Sequence, residues 1–431
     1  MLLAERERRP KIFRCTRLPP VACFLLILAS GSGSVWAAQY GGGSGTLENP
    51  FLIYTPDDFH AIGDNPADWD KHFRLMKDID LSGYDETNLT LIGHWVGPAH
   101  PENQPFAGVF EGGGKTIANF RYKDAKNDYV GLFRCVSGEV RNVKLAHATV
   151  VGNASITGSL VGYQASGAVA DCAVTDADVT GTTYTGGLIG LADGSTARCS
   201  SRGRVAGTWY VGGLVGQVNK GLVSQCYSKT DVEGDDSVGG LVGATTGDTA
   251  IVESCYATGR VDGRVNVGGL VVEAGRGGVF KSYSIGRVTG QSFVGGLAGY
   301  QRILGKNVPV TGCLWDVQTS HQTTSSGGIG KTTAEMMAID TFAAMGWDFT
   351  LIWTICEGMN YPVLLWQIPP GDVSCPDGVA FMDFAWLAQN WQRDDCMGVN
   401  WNCDGADLDE SGAVDHRDLV IFAAHWLVGT D

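Results

Sequence analysis

The stretch Tyr210–Gly216 reads YVGGLVG, and the chain repeats it. YVGLF (Tyr129–Phe133), ITGSLVG (Ile156–Gly162), YTGGLIG (Tyr184–Gly190), SVGGLVG (Ser237–Gly243), NVGGLVV (Asn266–Val272) and FVGGLAG (Phe293–Gly299) follow one pattern. Their leucines, Leu132, Leu160, Leu188, Leu214, Leu241, Leu270 and Leu297, are separated by 28, 28, 26, 27, 29 and 27 residues. Units this short cannot bury an apolar face alone, so each must stack on its neighbours.

Two further columns share the period. One is Cys172, Cys199, Cys226, Cys255 and Ser282, with Cys313 read as an outlier. The other is Val179, Val205, Val232, Val261 and Val288, each followed two residues later by glycine: Gly181, Gly207, Gly234, Gly263 and Gly290. Each unit therefore reads as three short strands between glycine turns, with no helical spacing of apolar residues. Stacked coils of this kind predict a right-handed parallel β-helix, with equivalent residues about 4.8 Å apart. The Leu and Val columns point inward, and the paired glycines mark a corner too tight for a Cβ. Asp178, Arg204, Asp231, Arg260 and Arg287 lie one place before the valines. Opposite charges on successive rungs predict cross-strand pairs on a solvated face.

Upstream, Phe73–Gly83 and Phe106–Phe120 read as irregular first coils. Downstream, Lys331 to Gln367 predicts a helix and a strand covering the open end of the solenoid, since an uncovered edge invites aggregation. The GGLVG-type strings, segments such as SCYATGRVDG (Ser254–Gly263), and WDVQTS followed by GGIGKTTAEM resemble the GLUG-motif proteins, bacterial exported proteins. The resemblance spans roughly residues 40 to 368 and implies a β-helical stalk or platform without a shared reaction.

Composition points the same way. Charged residues make up 18%, and 61 glycines suit β-structure rich in tight turns. Six basic residues between Arg6 and Arg17 precede the apolar run Val21–Ala29 and a small-residue cleavage site near Ala37. This reads as an export signal, too short to span a bilayer. Its removal takes the formal net charge from −15 to −19, and no later stretch is long enough for a membrane span. An acidic chain is a poor nucleic-acid ligand. The predicted location is secreted or cell-surface.

Few motifs carry chemistry. In Ser325–Thr333 (SSGGIGKTT) the first glycine of a phosphate loop is replaced by Ser325, and the segment reads as a turn. The cysteine column reads as small buried core residues, with rung-to-rung disulfides as the alternative. No C-x-x-C and no histidine joins it, which disfavours a metal. Asp171, Asp176 and Asp178 with Arg202 and Arg204 come nearest to a catalytic group, and the charge ladder accounts for them more simply.

The exception is Ala406–Leu419, ADLDESGAVDHRDL. Numbered from Asp407, its acids and oxygen donors fall at alternate positions: Asp407 (1), Asp409 (3), Ser411 (5), the Ala413 carbonyl (7), Asp415 (9) and Asp418 (12), with Gly412 at the sharp turn. That is the ligand spacing of a calcium loop, here with Asp at position 12 where the EF-hand has Glu. Val414 would anchor it, and Leu419, Phe422, Ala423 and Trp426 share one helical face after it.

This loop is similar to those of type I dockerins, which carry two, each followed by a helix; the resemblance spans about residues 372 to 429. It makes Asp372, Ser374, Val379 and Asp383 positions 1, 3, 8 and 12 of a first loop. Pro376 at position 5 offers no oxygen and the glycine is displaced to Gly378, so this first site reads as degraded. One disulfide among Cys375, Cys396 and Cys403 could staple it instead. The resemblance also implies that positions 10 and 11 contact a partner: His416 and Arg417, with Phe381 and Met382 in the first half.

The sequence thus predicts a mostly β protein: residues 1–37 as signal, 38–130 as irregular coils, 131–315 as repeat β-helix, 316–370 as cap, and 371–431 as a small all-α, EF-hand or dockerin-like calcium-binding domain. The expected function is a surface or extracellular structural or adhesion protein. A cohesin-like or envelope protein would bind residues 371–431, and a glycan would be a ligand of the β-helix. The alternative is a polysaccharide-active lyase or hydrolase delivered by the docking module.

Overall fold

The computed structural model describes residues 40–124, 128–153, 155–300, 309–375, 377–396 and 402–428 of the 431-residue chain; the predicted signal, residues 1–37, lies outside them. No helix among the described residues is long and apolar enough to cross a membrane.

The repeats form a parallel β-solenoid. One rung runs through Leu222–Ser224, Tyr227–Glu233, Asp236–Gly239 and Val242–Thr245 before the next begins at Ile251. Leu222 pairs with Ile251, Tyr227 with Tyr256, Asp236 with Val265, and Val242 with Val271, all in parallel. Stacking produces sheets of ten, fourteen, seven and five strands. Each rung thus has four strands rather than the three read from sequence. The Gly-Gly-Leu bend divides an apparent single strand between two sheets.

The bend explains the glycine pairs. A Cβ on Gly213 would lie 2.2 Å from the Gly240 carbonyl oxygen, one on Gly240 2.1 Å from that of Gly269, and one on Gly269 2.0 Å from that of Gly296. Backbones on successive rungs occupy the space a side chain would need. The leucine beside each of the five pairs points into the core, as do Leu132 and Leu160, all seven leucines being at most 1% exposed. Their amides continue the ladder, Leu214 donating to Leu241 at 2.9 Å and Leu241 to Leu270 at 2.8 Å.

The cysteine column occupies another corner, after a residue in the left-handed region: Asp171, Arg198, Gln225, Ser254 or Lys281. All its thiols are buried and free. The Cys226 thiol donates to the Ser224 carbonyl at 3.2 Å and accepts from the Cys199 amide at 3.3 Å. Ser282 donates to Phe280 at 2.7 Å and accepts from Cys255 at 3.0 Å. The corner needs a small side chain that both donates and accepts, so serine can replace cysteine. Cys313 belongs to the column after all, because Tyr283 pairs with Leu314. Burial pushes its thiol up to about 12, so it stays protonated.

The charge ladder forms only in part: Arg204 takes Glu233, not Asp231, as its second partner, and Arg260 pairs with Asp262 of its own rung. Asp178, Arg204 and Asp231 are in register, and Arg204 reaches Asp178 at 3.4 Å and Glu233 at 2.7 Å. These side chains are about half exposed, so each pair contributes roughly 0.2–1 kcal/mol and chiefly records register.

The first coils are more regular than their sequence suggests. They hold helix α1 (Pro56–Asp64), started by a capping box between Thr55 and Asp58, with Phe59 and Ile62 buried. Phe59 sets its ring edge-on to Phe110 at 5.9 Å. The signal was available in Thr55-Pro56-Asp57-Asp58, a cap with proline at the first helical position.

The downstream segment departs further from expectation. Helices α2 (Thr333–Met336) and α3 (Ile339–Ala343) and an antiparallel strand pair, Trp353–Thr354 with Val363–Leu364, pack against the outside of the fourteen-stranded sheet. There Tyr227, Tyr256 and Tyr283 stack at 5.1 Å with rings 6° from parallel. Trp366 donates to Gln225 at 2.9 Å, and Tyr283 to Pro362 at 2.6 Å. A wall of aromatic surface must be covered, and it draws the segment along the flank instead of across the open end. The end itself meets residues 320–331: Ser325 accepts from Leu297 and Ala298, and Ile329–Lys331 pairs with Leu314–Asp316. Lys331 is bound to Glu335 at 2.8 Å, and Thr332 caps the four-residue α2, so SSGGIGKTT completes a rung and starts a helix.

Leu241→Ala should cost about 2–5 kcal/mol in urea unfolding, as core truncations do. Gly240→Ala adds only a methyl, yet should cost at least ~1 kcal/mol because backbone, not a flexible side chain, opposes it. A neutral Gly240→Ala would mean that the bend is loose.

Candidate metal centre

The C-terminal module contains α4 (Phe381–Gln389), α5 (Asn402–Gly405) and α6 (His416–Ala424). Two loop-helix halves correspond at an offset of 35: Asp372 to Asp407, Val379 to Val414, and Asp383 to Asp418. Both valines are fully buried. Val414 exchanges backbone bonds with Gln392 and Arg393, after α4, and Val379 with Leu427 and Val428, after α6. Each loop is thus pinned to the end of the other half's helix.

The last acid of each loop organises it. Asp418 accepts from Leu408 (2.6 Å), Asp409 (3.1 Å) and Asp415 (2.7 Å), bridging the loop's start to the first turn of α6. Asp383 accepts from Val373 (2.9 Å), Ser374 (2.8 Å) and Ala380 (2.9 Å). The first acid closes the turn: Asp407 accepts from Ser411 and Gly412, and Asp372 from Gly378. Gly412 and Gly378 have φ of 94° and 98°, which glycine adopts without strain.

Carboxylate oxygens of Asp407, Asp409 and Asp418 lie within 4.8 Å of one another. So do those of Asp372, Asp377 and Asp383. Asp377, at position 6 of the first loop where the second has Gly412, supplies its third acid. Ser374 instead donates to Asp383 at 2.8 Å. The two halves therefore gather equal sets of acids.

Of the remaining sequence-predicted ligands, the Ser411 hydroxyl lies 3.3 Å from the Ala413 carbonyl oxygen. Asp415 stands apart from the cluster as the N-cap of α6, its carboxylate accepting from the Arg417 amide at 2.7 Å. His416 and Arg417 are exposed at the start of α6; the equivalent Phe381 and Met382 on α4 are 76% and 72% exposed.

The electrostatics suit a cation. Burial, reinforced by the charges of Asp383 and Asp377, pushes the Asp372 carboxyl up to about 6. Its Oδ1 is buried with no hydrogen-bond partner. Burial also raises Asp407, against the N–H groups of Gly412 and Ser411, while the Ser411 hydroxyl lowers Asp409. Three acids drawn together around an orphaned oxygen, with only oxygen donors, fit a hard divalent ion such as Ca²⁺.

Around the loops, α4 and α6 present an apolar groove lined by Phe381, Phe384, Leu419, Phe422, Ala423 and Trp426. Cys396–Cys403 closes the connection between halves, and Cys375 bonds to Cys356 of the flanking segment. Two disulfides therefore form where the sequence suggested one. Cys356 lies outside the module, in the flanking segment, so spacing within the module does not point to it.

In calcium-free buffer, the raised Asp372 has a definite sign. Between about 4 and about 6 the folded module holds a proton that the unfolded chain has released, so stability should fall as pH rises through that window. Hydrogen exchange of the α4 and α6 amides, with chelator, should accelerate from pH 4 to 6 after correction for intrinsic rates. Asp372→Asn should flatten the trend.

Fold and site together define a glycine-rich repeat solenoid with an acidic, two-half helical module. Residues 234–262 match the GLUG motif. The chain is 30% identical over 167 residues to halomucin of Haloquadratum walsbyi, a match covering 37% of this chain and 2% of that protein. It is 31% identical over 159 residues to a provisionally named Gly-rich membrane protein of Evansella cellulosilytica, covering 35% of this chain and 18% of that one. The chain thus spans a small part of these relatives' length. Among solved structures, a provisionally named immunoglobulin A1 protease from Bacteroides ovatus aligns at 21% identity with a TM-score of 0.46, covering 76% of this chain and 96% of that one.

Proposed function

We propose that this is an exported surface or extracellular protein of structural or adhesive role, in which the solenoid is a shaft and residues 371–431 form a calcium-stabilised, dockerin-like docking module. One observation carries the reading: two halves, 35 residues apart, each gather three carboxylates beneath an exposed apolar face. In each half the ion would be held by the first and last acids with Asp409 or Asp377. The second half adds Ser411 and the Ala413 carbonyl, and Asp415 through water. Like charges at this separation repel, and a divalent cation reverses the sign of that term, linking binding to folding.

The docking face comprises Phe381, Met382 and Phe384 of α4 with His416, Arg417 and Leu419 of α6. A cohesin-like module or an envelope protein is the partner class. Buried aromatic anchors ringed by polar groups are the usual energetic centre of such contacts. The rival, a polysaccharide-active enzyme, draws less support from the shaft: Asp171 is bound to Arg198 at 2.6 Å and Asp178 to Arg204, so these acids serve the rung ladder.

Calorimetric titration of the whole chain with CaCl₂ should show two ions bound. Asp377→Asn and Asp409→Asn should each weaken one site, roughly tenfold or more, because charge count tunes such loops. Pull-down from source-cell envelope and secreted fractions should retain a partner in calcium, release it with chelator, and fail with Phe381→Ser/Leu419→Ser. Absence of calcium binding would overturn the module's assignment; retention by the double variant would overturn the docking face.

A further inference from the structure

The solenoid has a surface cleft that the docking reading does not use. Trp209, Tyr210, Asp236, Ser237 and Asn266 line one side, and Val272, Glu273 and Tyr300 the other. One wall belongs to strands that precede the Gly-Gly-Leu bends, the other to residues that follow the bridges at Val271 and Ala298 beyond them. The cleft volume is about 380 Å³, within the roughly 300–1,000 Å³ usual for small-ligand sites.

The lining is unusual for a repeat surface. Register places Tyr184, Tyr210, Ser237, Asn266 and Phe293 in one column, a residue per rung. The last four have φ between 52° and 61°. Ser and Asn tolerate the left-handed region, whereas a bulky aromatic residue there is a true outlier that costs of order 1–3 kcal/mol. The corner fixes that backbone at four successive rungs; it does not require Tyr210 or Phe293. Trp209 is 53% and Phe293 59% exposed, so burial does not account for them. Tyr184 and Tyr210 stack at 5.4 Å with rings 23° apart, forming a flat aromatic platform.

Beside the platform is a fixed acceptor. Asp236 accepts from Ser237 at 2.9 Å and from Asn266 at 2.8 Å, which holds its carboxylate in place. Among the described residues the lining contains two carboxylates and no Lys or Arg, on a chain of formal charge −15. A ligand for this cleft must offer flat C–H faces to aromatic rings and hydroxyl or amide donors to carboxylates, without negative charge of its own. Uncharged sugars have that chemistry; uronates and sulfated sugars do not.

We infer that the cleft over rungs 209–300 binds a segment of an uncharged glycan, with Trp209, Tyr210 and Tyr300 as stacking surfaces and Asp236 as hydroxyl acceptor. The inference stands independently of the docking module, since the two sites share no residue.

Affinity electrophoresis of the whole chain in gels containing hydroxyethyl cellulose, mixed-linkage β-glucan, galactomannan, xylan or polygalacturonate, each with calcium and with chelator, tests it. Retardation is expected in at least one neutral polymer, unchanged by chelator, and not in polygalacturonate. Trp209→Ala and Asp236→Asn should each weaken it about tenfold or more, while Trp209→Phe retains most of it. Far-UV dichroism and the melting temperature check that each variant is folded; Asp236→Asn, which keeps size and shape, secures the test should Trp209→Ala unfold. Lack of retardation in every neutral polymer, equal retardation of folded variants, or preference for polygalacturonate would overturn the proposal. Retardation abolished by chelator would place binding in the C-terminal module and overturn it too.

Discussion

Backbone touching backbone is the constraint on which this solenoid depends. At each Gly-Gly-Leu bend, successive rungs approach so closely that the carbonyl of one occupies the place of a side chain on the other. The sharp turn directs leucine into the core and starts a fourth strand within a few residues. The inward valines, the cysteine corner and the outward tyrosines inherit their positions from it. The period drifts between 26 and 29 residues where loops lie, as between Thr245 and Ile251, and at a bulge within the strand, as between Val174 and Ala177.

Much of this was legible in the sequence, because a repeating contact leaves a repeating residue. Leu, Val and Gly columns identify inward positions without knowledge of the path between them. What stayed hidden is whatever lacks a period. The number of strands per rung was misread because V-G-G-L-V is continuous in sequence while its bend is spatial. The flank segment was placed over the open end because the general need for a cover is readable, whereas the tyrosine wall emerges only when Tyr227, Tyr256 and Tyr283 are seen to share an outer face. In the acidic module, spacing marked Asp407, Asp409 and Asp418; Asp377 was missed because one glycine shift breaks the pattern while the folded loop restores the oxygen. Asp415 shows that a side chain at ligand spacing can also cap a helix, its carboxylate accepting from the Arg417 amide.

The two ends of the chain solve opposite problems. The shaft has few charges and many backbone contacts, so its order is set by hydrogen bonds and packing whatever the ions in the medium. The module concentrates acids in two loops with a small core of Val379, Leu387, Val414 and Phe422. Disulfides compensate for that small core in an oxidising medium.

The Cys356–Cys375 bond also sets how tension would pass along the chain. A pull on α4 or α6 reaches the first loop and crosses this covalent link, 19 positions back in the sequence, to the segment packed on Tyr227, Tyr256 and Tyr283. Force then arrives as shear over several stacked rungs instead of peeling the last one. Unzipping a solenoid from its end breaks a few hydrogen bonds at a time, whereas shearing a flank loads many together. By this connection the molecule is built as a lap joint, with its adhesive area along the side of the shaft and its rivet at Cys356.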